Sequence, residues 1–553
     1  MNLRGFILKN LRAVFYISWL ILNLILAAQT GLLDDEAYYW VYSRFPDWGY
    51  FDHPPMIAIL IKAGYSLFQN ELGVRLLIVL MSTATLFIID KLCTKRDDLL
   101  FYAIALSMFL LQIGSVIAVP DLPLMFFIAL YFLVYKEYLK SASFRNSVLL
   151  GLVIACMLYS KYHGILIVFF TLLSNLDLLR KWQTYLAAGV AAACFLPHGF
   201  WQLSHGLPSV AYHLFERNAT QYQFEFTLQY VTGQMLLAGP LIGWLILYAA
   251  FTKSPSTPFE KTLRWTTLGI FGLFLVATLK GRSEANWTVP AFVGLIVLAH
   301  QHLTGRPELK KWVYWLLLPS LLLVLVTRIY MMSDVKPLPW LKKDEFHKTR
   351  EWAQAVKDTA NGLPVVFPNS YQRASQYWFY SGDTSFALNC VQYRRSNYNF
   401  WPLEERLQGK KVMLVYPDVL DFYTDSLPNE RKPMHYKVVD SFFSFSRVNI
   451  TQEGNAEIRD GMMWAKIQGP LNFRFRKTDP EIYLVLYAHD NDVAYLLPTN
   501  AKFTTLISAS VPVTTAVDLK DVKPGTYRYK WAIETSIPNW PSLNSSSKEI
   551  EIK

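Results

Sequence analysis

The chain has 553 residues, of which 53% are hydrophobic and only 17% charged, a balance too apolar for a water-soluble protein of a length that allows several domains. Its net charge of +11 could signal nucleic acid, but the basic residues cluster between apolar runs, where they set orientation in a bilayer, and nucleic acid is set aside. Cys93, Cys156 and Cys194 lie in or beside those runs and Cys390 stands alone beyond them, which gives neither a disulfide framework nor a zinc spacing.

The first apolar run follows Arg4, Lys9 and Arg12 as a signal peptide would, yet Gln29 to Asp35 is a poor cleavage site, so the run is read as a retained span. With about 20 apolar residues per crossing, eleven spans are predicted near 13–29, 73–91, 99–118, 123–139, 147–160, 164–179, 184–201, 229–251, 265–279, 287–303 and 312–330. Their odd number puts the two ends of the bundle on opposite faces. Alternate breaks are basic: Arg4/Lys9/Arg12, Lys91/Lys95/Arg96, Lys136/Lys140/Arg145, Arg180/Lys181, Lys253/Lys261/Arg264 and Arg306/Lys310/Lys311. These are assigned to the cytoplasm, which leaves the N-terminus inside and everything past the last span outside. The intervening breaks hold the unusual polar residues, so chemistry is expected on the outer side. Met56 to Phe68, apolar with helical spacing, is predicted to lie along the outer interface with Trp40 and Trp48 at headgroup depth.

Beyond Ser333 the composition becomes that of a soluble chain. Glu345 to Thr359 and Gln372 to Tyr380 read as helices, and Pro364 to Phe367 and Lys411 to Tyr416 as short buried strands, which suggests an α/β domain. From about Gly454, alternating runs at Asn472 to Arg476, Ile482 to Tyr487, Lys502 to Ser508 and Gly525 to Ile533, separated by turn residues, indicate a β-sandwich. The expected organisation is therefore a helical polytopic membrane domain over 1–332, an extracytoplasmic α/β domain over 333–450 and an extracytoplasmic β-sandwich over 451–553.

The strongest constellation is Leu33-Asp34-Asp35-Glu36-Ala37-Tyr38-Tyr39-Trp40, followed by Phe51-Asp52-His53-Pro54-Pro55. Val119-Pro120-Asp121-Leu122-Pro123-Leu124, Ser160-Lys161-Tyr162 and Lys280-Gly281-Arg282-Ser283-Glu284-Ala285-Asn286-Trp287 come after it in outer breaks. An acid pair alone is more often a helix cap than a catalyst, but these five segments together resemble the glycosyltransferase-C class, in particular its protein O-mannosyltransferase-like and aminoarabinose-transferase-like membrane enzymes. The resemblance covers roughly residues 30–290. It implies transfer of a sugar from a polyprenyl-phosphate donor to a lipid, glycan or protein acceptor, with an envelope glycolipid or glycan favoured, in a bacterial plasma (inner) membrane.

In that chemistry a carboxylate takes the proton of the acceptor hydroxyl, a general-base contribution of about 10²–10⁴-fold. Asp35 occupies the matching position, with Asp34 as its alternative, while Glu36 points about 100° away on a helix and is expected to orient the site. Lys161, His53, Lys280, Arg282 and Arg217 are candidates to hold the leaving phosphate. Lys161 stands out because it follows an apolar run and calls for an anionic partner at that depth. Tyr39, Asp52, Asp121, Tyr162, His213, Glu284 and Asn286 complete the expected substrate-binding set, and the stretch from His198 to Thr227, with Trp201 and His205, is expected to cap the cavity. The spacing of Asp52, His53 and His213 fits no standard zinc pattern. No metal ligand is assigned, although the resemblance leaves dependence on a divalent metal open. A transporter or flippase is the competing class, but its hallmark of repeated halves with polar groups at mid-membrane is not visible.

Overall fold

A helix or a broken pair of helices stands at each of the eleven apolar runs of the computed structural model, which describes residues 10–94, 96–211, 222–333, 345–416, 422–423, 425–427, 434–470, 479–489 and 492–553. The chain divides into two units, Met1–Pro208 with Gln221–His347 and Ser209–Thr220 with Lys348–Lys553.

In the first unit α1 (Leu11–Gln29) leads into α2 (Asp34–Arg44), α3 (Met56–Tyr65), α4 (Glu71–Leu92), α5 (Asp98–Ser107), α6 (Asp121–Lys140), α7 (Phe144–Ser160), α8 (Gly164–Ser174) and α9 (Trp182–Ser204). After them come α10 (Phe224–Ala238), α11 (Gly243–Thr252), α12 (Pro258–Ala277), α13 (Phe292–Thr304) and α14 (Pro307–Met332). Among the described residues five of these, α1, α4, α6, α9 and α14, are single helices long and apolar enough to cross a membrane, or seven spans if each of two bent pairs counts as one. The eleven runs are therefore eleven helical stations rather than eleven uniform rods. Helix α12, for example, opens with Glu260, Lys261 and Arg264, which shortens its apolar length.

The two bent pairs have local causes. α5 stops at Met108, which is extended, and turns by 79° into the short helix Phe109–Gln112. α10 stops at Gly239 before Pro240 and turns by 94° into α11, since proline cannot continue the ladder. Gly239 has a φ of +127°, and a Cβ there would lie 2.7 Å from the carbonyl oxygen of Ser107. The two breaks thus meet, and only glycine lets them. From Phe292 to Ala299, α13 is buried on every side, as befits an apolar helix at the centre of a bundle.

In the second unit, β1 (Val365–Pro368), β2 (Ser385–Leu388), β3 (Val412–Tyr416), β4 (Asp425–Leu427) and β5 (Met434–Val439) form a sheet of order β2-β1-β3-β5-β4. The pairs β1/β2 and β1/β3 are parallel; α16 (Tyr371–Ser381) crosses from β1 to β2, and α15 (Thr349–Ala360) leads into β1. A second, antiparallel arrangement links β6 (Thr451–Arg459), β7 (Met462–Gln468), β8 (Glu481–His489), β9 (Asp492–Lys502), β10 (Val513–Asp518), β11 (Gly525–Ile533), β12 (Ser542–Leu543) and β13 (Lys548–Ile552). The expected strand over Asn472 to Arg476 lies outside the described residues. The one expected over Lys502 to Ser508 is corrected: Phe503–Ser508 is a helix, α17. It buries Phe503 and Leu506, a spacing of three that shares one face of a helix but falls on opposite faces of a strand, and Asp479 accepts hydrogen bonds from Thr504 N at 2.7 Å and Thr504 Oγ1 at 2.9 Å.

Candidate functional site

The three acids at the start of α2 occupy its first turn, where carboxylates complement the helix dipole, but they differ in exposure. Glu36 is fully buried, Asp34 half-buried and Asp35 exposed. Glu36 takes Arg75 Nε at 2.7 Å and Arg75 Nη2 at its other oxygen, with the backbone amides of Ala118 at 2.7 Å and Leu33 at 3.0 Å. Arg75, equally buried, also donates to the carbonyls of Ala27, Thr30 and Gly31 at 3.1, 2.6 and 2.8 Å. The pair therefore ties the end of α1, the start of α2, the side of α4 and the break before α6 at one point. Both oxygens of Glu36 are thus committed to donors within the protein. The amide of Asp34 donates to Glu345 at 3.3 Å.

A second station unites three motifs that are far apart in sequence. Asp121, in the first turn of α6, receives Lys161 Nζ at 2.8 and 3.0 Å on its two oxygens and Asn286 Nδ2 at 3.2 Å. Asp121 and the Lys161 side chain are both buried. Asp121 is thus the anionic partner that an intramembrane lysine requires, and the two charges cancel locally. Asn286 reaches them from the 3₁₀ turn Ala285–Ala291.

The next residue, Tyr162, links this station to the loop between α2 and α3. Its hydroxyl lies 3.0 Å from His198 Nε2 and receives Gln202 Nε2 at 3.1 Å, while His198 Nδ1 lies 2.8 Å from the carbonyl oxygen of Trp48. A carbonyl only accepts, so Nδ1 carries the hydrogen, and in the neutral ring Nε2 accepts from Tyr162. Trp201 Nε1 donates to Asp47 at 2.9 Å and its ring stacks on His205 at 4.3 Å. Gly49 permits this approach, because a Cβ there would lie 2.5 Å from the Trp201 ring.

Asp52 is buried, and His53 holds its ring 5.6 Å from Tyr39 while its carbonyl accepts from Tyr50 N in a tight turn at 3.1 Å. In the loop after α12, Lys280 and Arg282 are exposed, and Arg282 pairs with Glu284 at 3.4 Å. His213 and Arg217 lie outside the described residues. No group of three or more His, Cys, Asp and Glu that could hold a metal ion occurs among the described residues.

An apolar cavity of about 470 Å³ runs between α6, α7, α8 and α9, lined among others by Tyr131, Leu150, Leu158, Ile165, Phe195 and Gly199. Its lining residues Leu158, Ile165 and Gly199 are near neighbours in the chain of Lys161, Tyr162 and His198. Arg75, Asp47 and Gln202 were not anticipated. Arg75 carries a readable signal, a lone charge inside an apolar run, whereas Asp47 and Gln202 look like ordinary loop and helix residues.

Residues 52–201 match the family described as dolichyl-phosphate-mannose-protein mannosyltransferase. The lipid A galacturonosyltransferase RgtD of Rhizobium johnstonii is 28% identical over 291 residues, 49% of this chain, and the match spans only 60% of that relative's length. Among solved structures, ArnT from Cupriavidus metallidurans bound to undecaprenyl phosphate superposes with a TM-score of 0.57 at 12% identity, over 77% of this chain and 98% of that one. The same protein in its apo state gives 0.56 at 13% over the same shares. The fold is that of the glycosyltransferase-C type membrane glycosyltransferases.

Proposed function

We propose that this chain, built on the glycosyltransferase-C fold, transfers a sugar from a polyprenyl-phosphate donor to an envelope glycolipid or glycan at the extracytoplasmic face of a bacterial plasma membrane. The supporting observation is the convergence of Asp121, Lys161 and Asn286 from three distant motifs, in the same unit as an exposed carboxylate at the start of α2. The mannosyltransferase family match favours a protein acceptor as the second reading, and the lipid A relative favours a glycolipid.

The reaction is a single inverting displacement. The acceptor oxygen forms a bond to the anomeric carbon, the bond from that carbon to the phosphate oxygen breaks, and the polyprenyl phosphate leaves with the electron pair. Asp35 takes the acceptor's proton, with Asp34 as the alternative base. The phosphate leaves as an anion and needs cations rather than an acid. Because Lys161 is already paired with Asp121, the exposed Lys280 is assigned to the phosphate first, with Arg282, which pairs with Glu284, His53 and Arg217 as further candidates. Lys161, Asp121 and Asn286 keep the outer loops in register. The apolar cavity beside Tyr162 and His198 suits isoprene units of the carrier. Regions 333–450 and 451–553 are assigned to recognition or bracing on the same face.

The test is Asp35→Asn, assayed for transfer from a labelled polyprenyl-phosphate sugar in detergent. Turnover should fall by about 10²–10⁴-fold with an unchanged elution profile. Wild-type turnover with Asp34 intact removes Asp35 as the base. Mass spectrometry of envelope glycolipids and glycoproteins with and without the protein names the sugar and the acceptor.

A further inference from the structure

We propose that the groove between α1 and α4 binds an acyl chain of an acidic glycerophospholipid of the surrounding bilayer, with the lipid phosphate held by Arg12 and Lys91. The two helices are antiparallel neighbours: Arg12 meets Asp90, Tyr16 meets Phe87, and Ala27 meets Arg75 at the other end. Ala13, Thr83 and Ala84 are too small to fill the space between them, leaving a groove of about 680 Å³ walled by Ile17, Leu20 and Leu80. The hydroxyl of Thr83 is spent on the Val79 carbonyl of its own helix at 2.9 Å, so the wall is apolar in effect. From Arg12 to Leu20 the groove runs roughly 12 Å at the helical rise, the reach of the upper part of an acyl chain. Ile17, Ile21 and Leu22 beside it are more than half exposed or close to it, as on a surface that faces lipid.

The polar end decides the headgroup. Arg12 Nη2 lies 2.7 Å from Asp90 Oδ2, which also accepts from Tyr16 at 3.0 Å. Arg12 Nε is buried and no described residue accepts from it, while the Lys91 ammonium sits 4.5 Å over the Phe87 ring. Arg12 and Lys91 both approach the Phe87 ring, and among the described residues Asp90 pairs with Arg12 alone, which leaves the Lys91 charge and the Arg12 Nε donor for a further anion. A phosphate anion answers both needs. Inorganic phosphate would leave the apolar length of the groove unfilled, so a phospholipid is the better occupant. This lipid would brace the helix pair whose opposite end carries the Arg75–Glu36 clamp. That consequence rests on the proposed function, whereas the binding does not.

Native mass spectrometry of the full-length protein in detergent, delipidated and then titrated with phosphatidylglycerol or phosphatidylcholine of identical chains, tests the site directly. The wild type should hold one phosphatidylglycerol in preference to phosphatidylcholine and to inorganic phosphate. Ala84→Trp, which fills the groove, should abolish that adduct. Lys91→Gln and Arg12→Gln should each weaken it by roughly fivefold, the contribution of one cation near an anionic lipid. Lys91 has no carboxylate partner to lose among its described contacts, so its variant guards against misfolding of the Arg12 one. An adduct equal in the wild type and in Ala84→Trp overturns the proposal. So does binding seen only after residues 2–9 are deleted, which would make that segment the occupant. The readout is a mass, so a failure of sugar transfer leaves it untouched.

Discussion

The starts of α2 and α6 each place carboxylate in the first turn of a helix, and burial sets the two stations apart. At α6 the single acid is buried and held by Lys161 and Asn286. At α2 the cost of burial falls on Glu36, which is clamped by Arg75 and two amides, so Asp35 one residue earlier stays exposed. Adjacent acids are thus split between a buried clamp and an exposed carboxylate, the one proposed as the base. A buried ion pair is a weak source of net stability but a strict one, because losing one partner strands the other.

That contrast breaks most sharply at Glu36. Glu36→Gln should strand the Arg75 guanidinium and cost about 3–5 kcal/mol, seen as a large drop in the thermal midpoint in detergent and in the monodisperse fraction. Asp35→Asn should leave both unchanged, since substitutions at exposed positions stay within about 0.5 kcal/mol. Equal losses in the two variants would erase the division of labour. Lys161→Met should be nearly as harmful as Glu36→Gln because it strands Asp121, and the double variant Asp121→Asn/Lys161→Met should recover part of the loss. No recovery would mean that the pair does more than neutralise itself. Tyr162→Phe comes next. It leaves His198 without its donor and Gln202 without its acceptor, a cost of about 1–3 kcal/mol, and hydrogen exchange should quicken around Trp48 if the tyrosine ties that loop down.

What could be read in advance follows from the range of each interaction. Apolar length marked all eleven helical stations, because burial in lipid is a property of each run by itself. The bends were less legible: Gly239-Pro240 announces one, but nothing around Met108 announces the other, which depends on Gly239 packing against Ser107. The motifs at Asp121, Lys161 and Asn286 could be singled out one by one, yet their meeting depends on how α6, α7 and the 3₁₀ turn pack. Glu36 was expected to orient its surroundings, but its partner lies 39 residues away and could be suspected only as a lone arginine in an apolar run. The strand expected at Lys502 to Ser508 failed for a related reason, since its helical turn is capped by Asp479 from another segment.

The smallest expected effect probes that cap, the one carboxylate in this comparison that serves only a local turn. Asp479 accepts from both the amide and the hydroxyl of Thr504, and it is exposed, so water can replace part of what it provides. Asp479→Ala should cost about 1 kcal/mol, the usual loss for removing a helix N-terminal acceptor, and quicken amide exchange over Phe503–Ser508 roughly fivefold. The Phe503 ring lies 4.6 Å from that of Phe445, tilted by 52°, and should keep the segment docked. Exchange confined to α17 is therefore expected, with β9 and β10 protected as before; faster exchange spreading into those strands would show that this cap holds the sheet and not merely the turn.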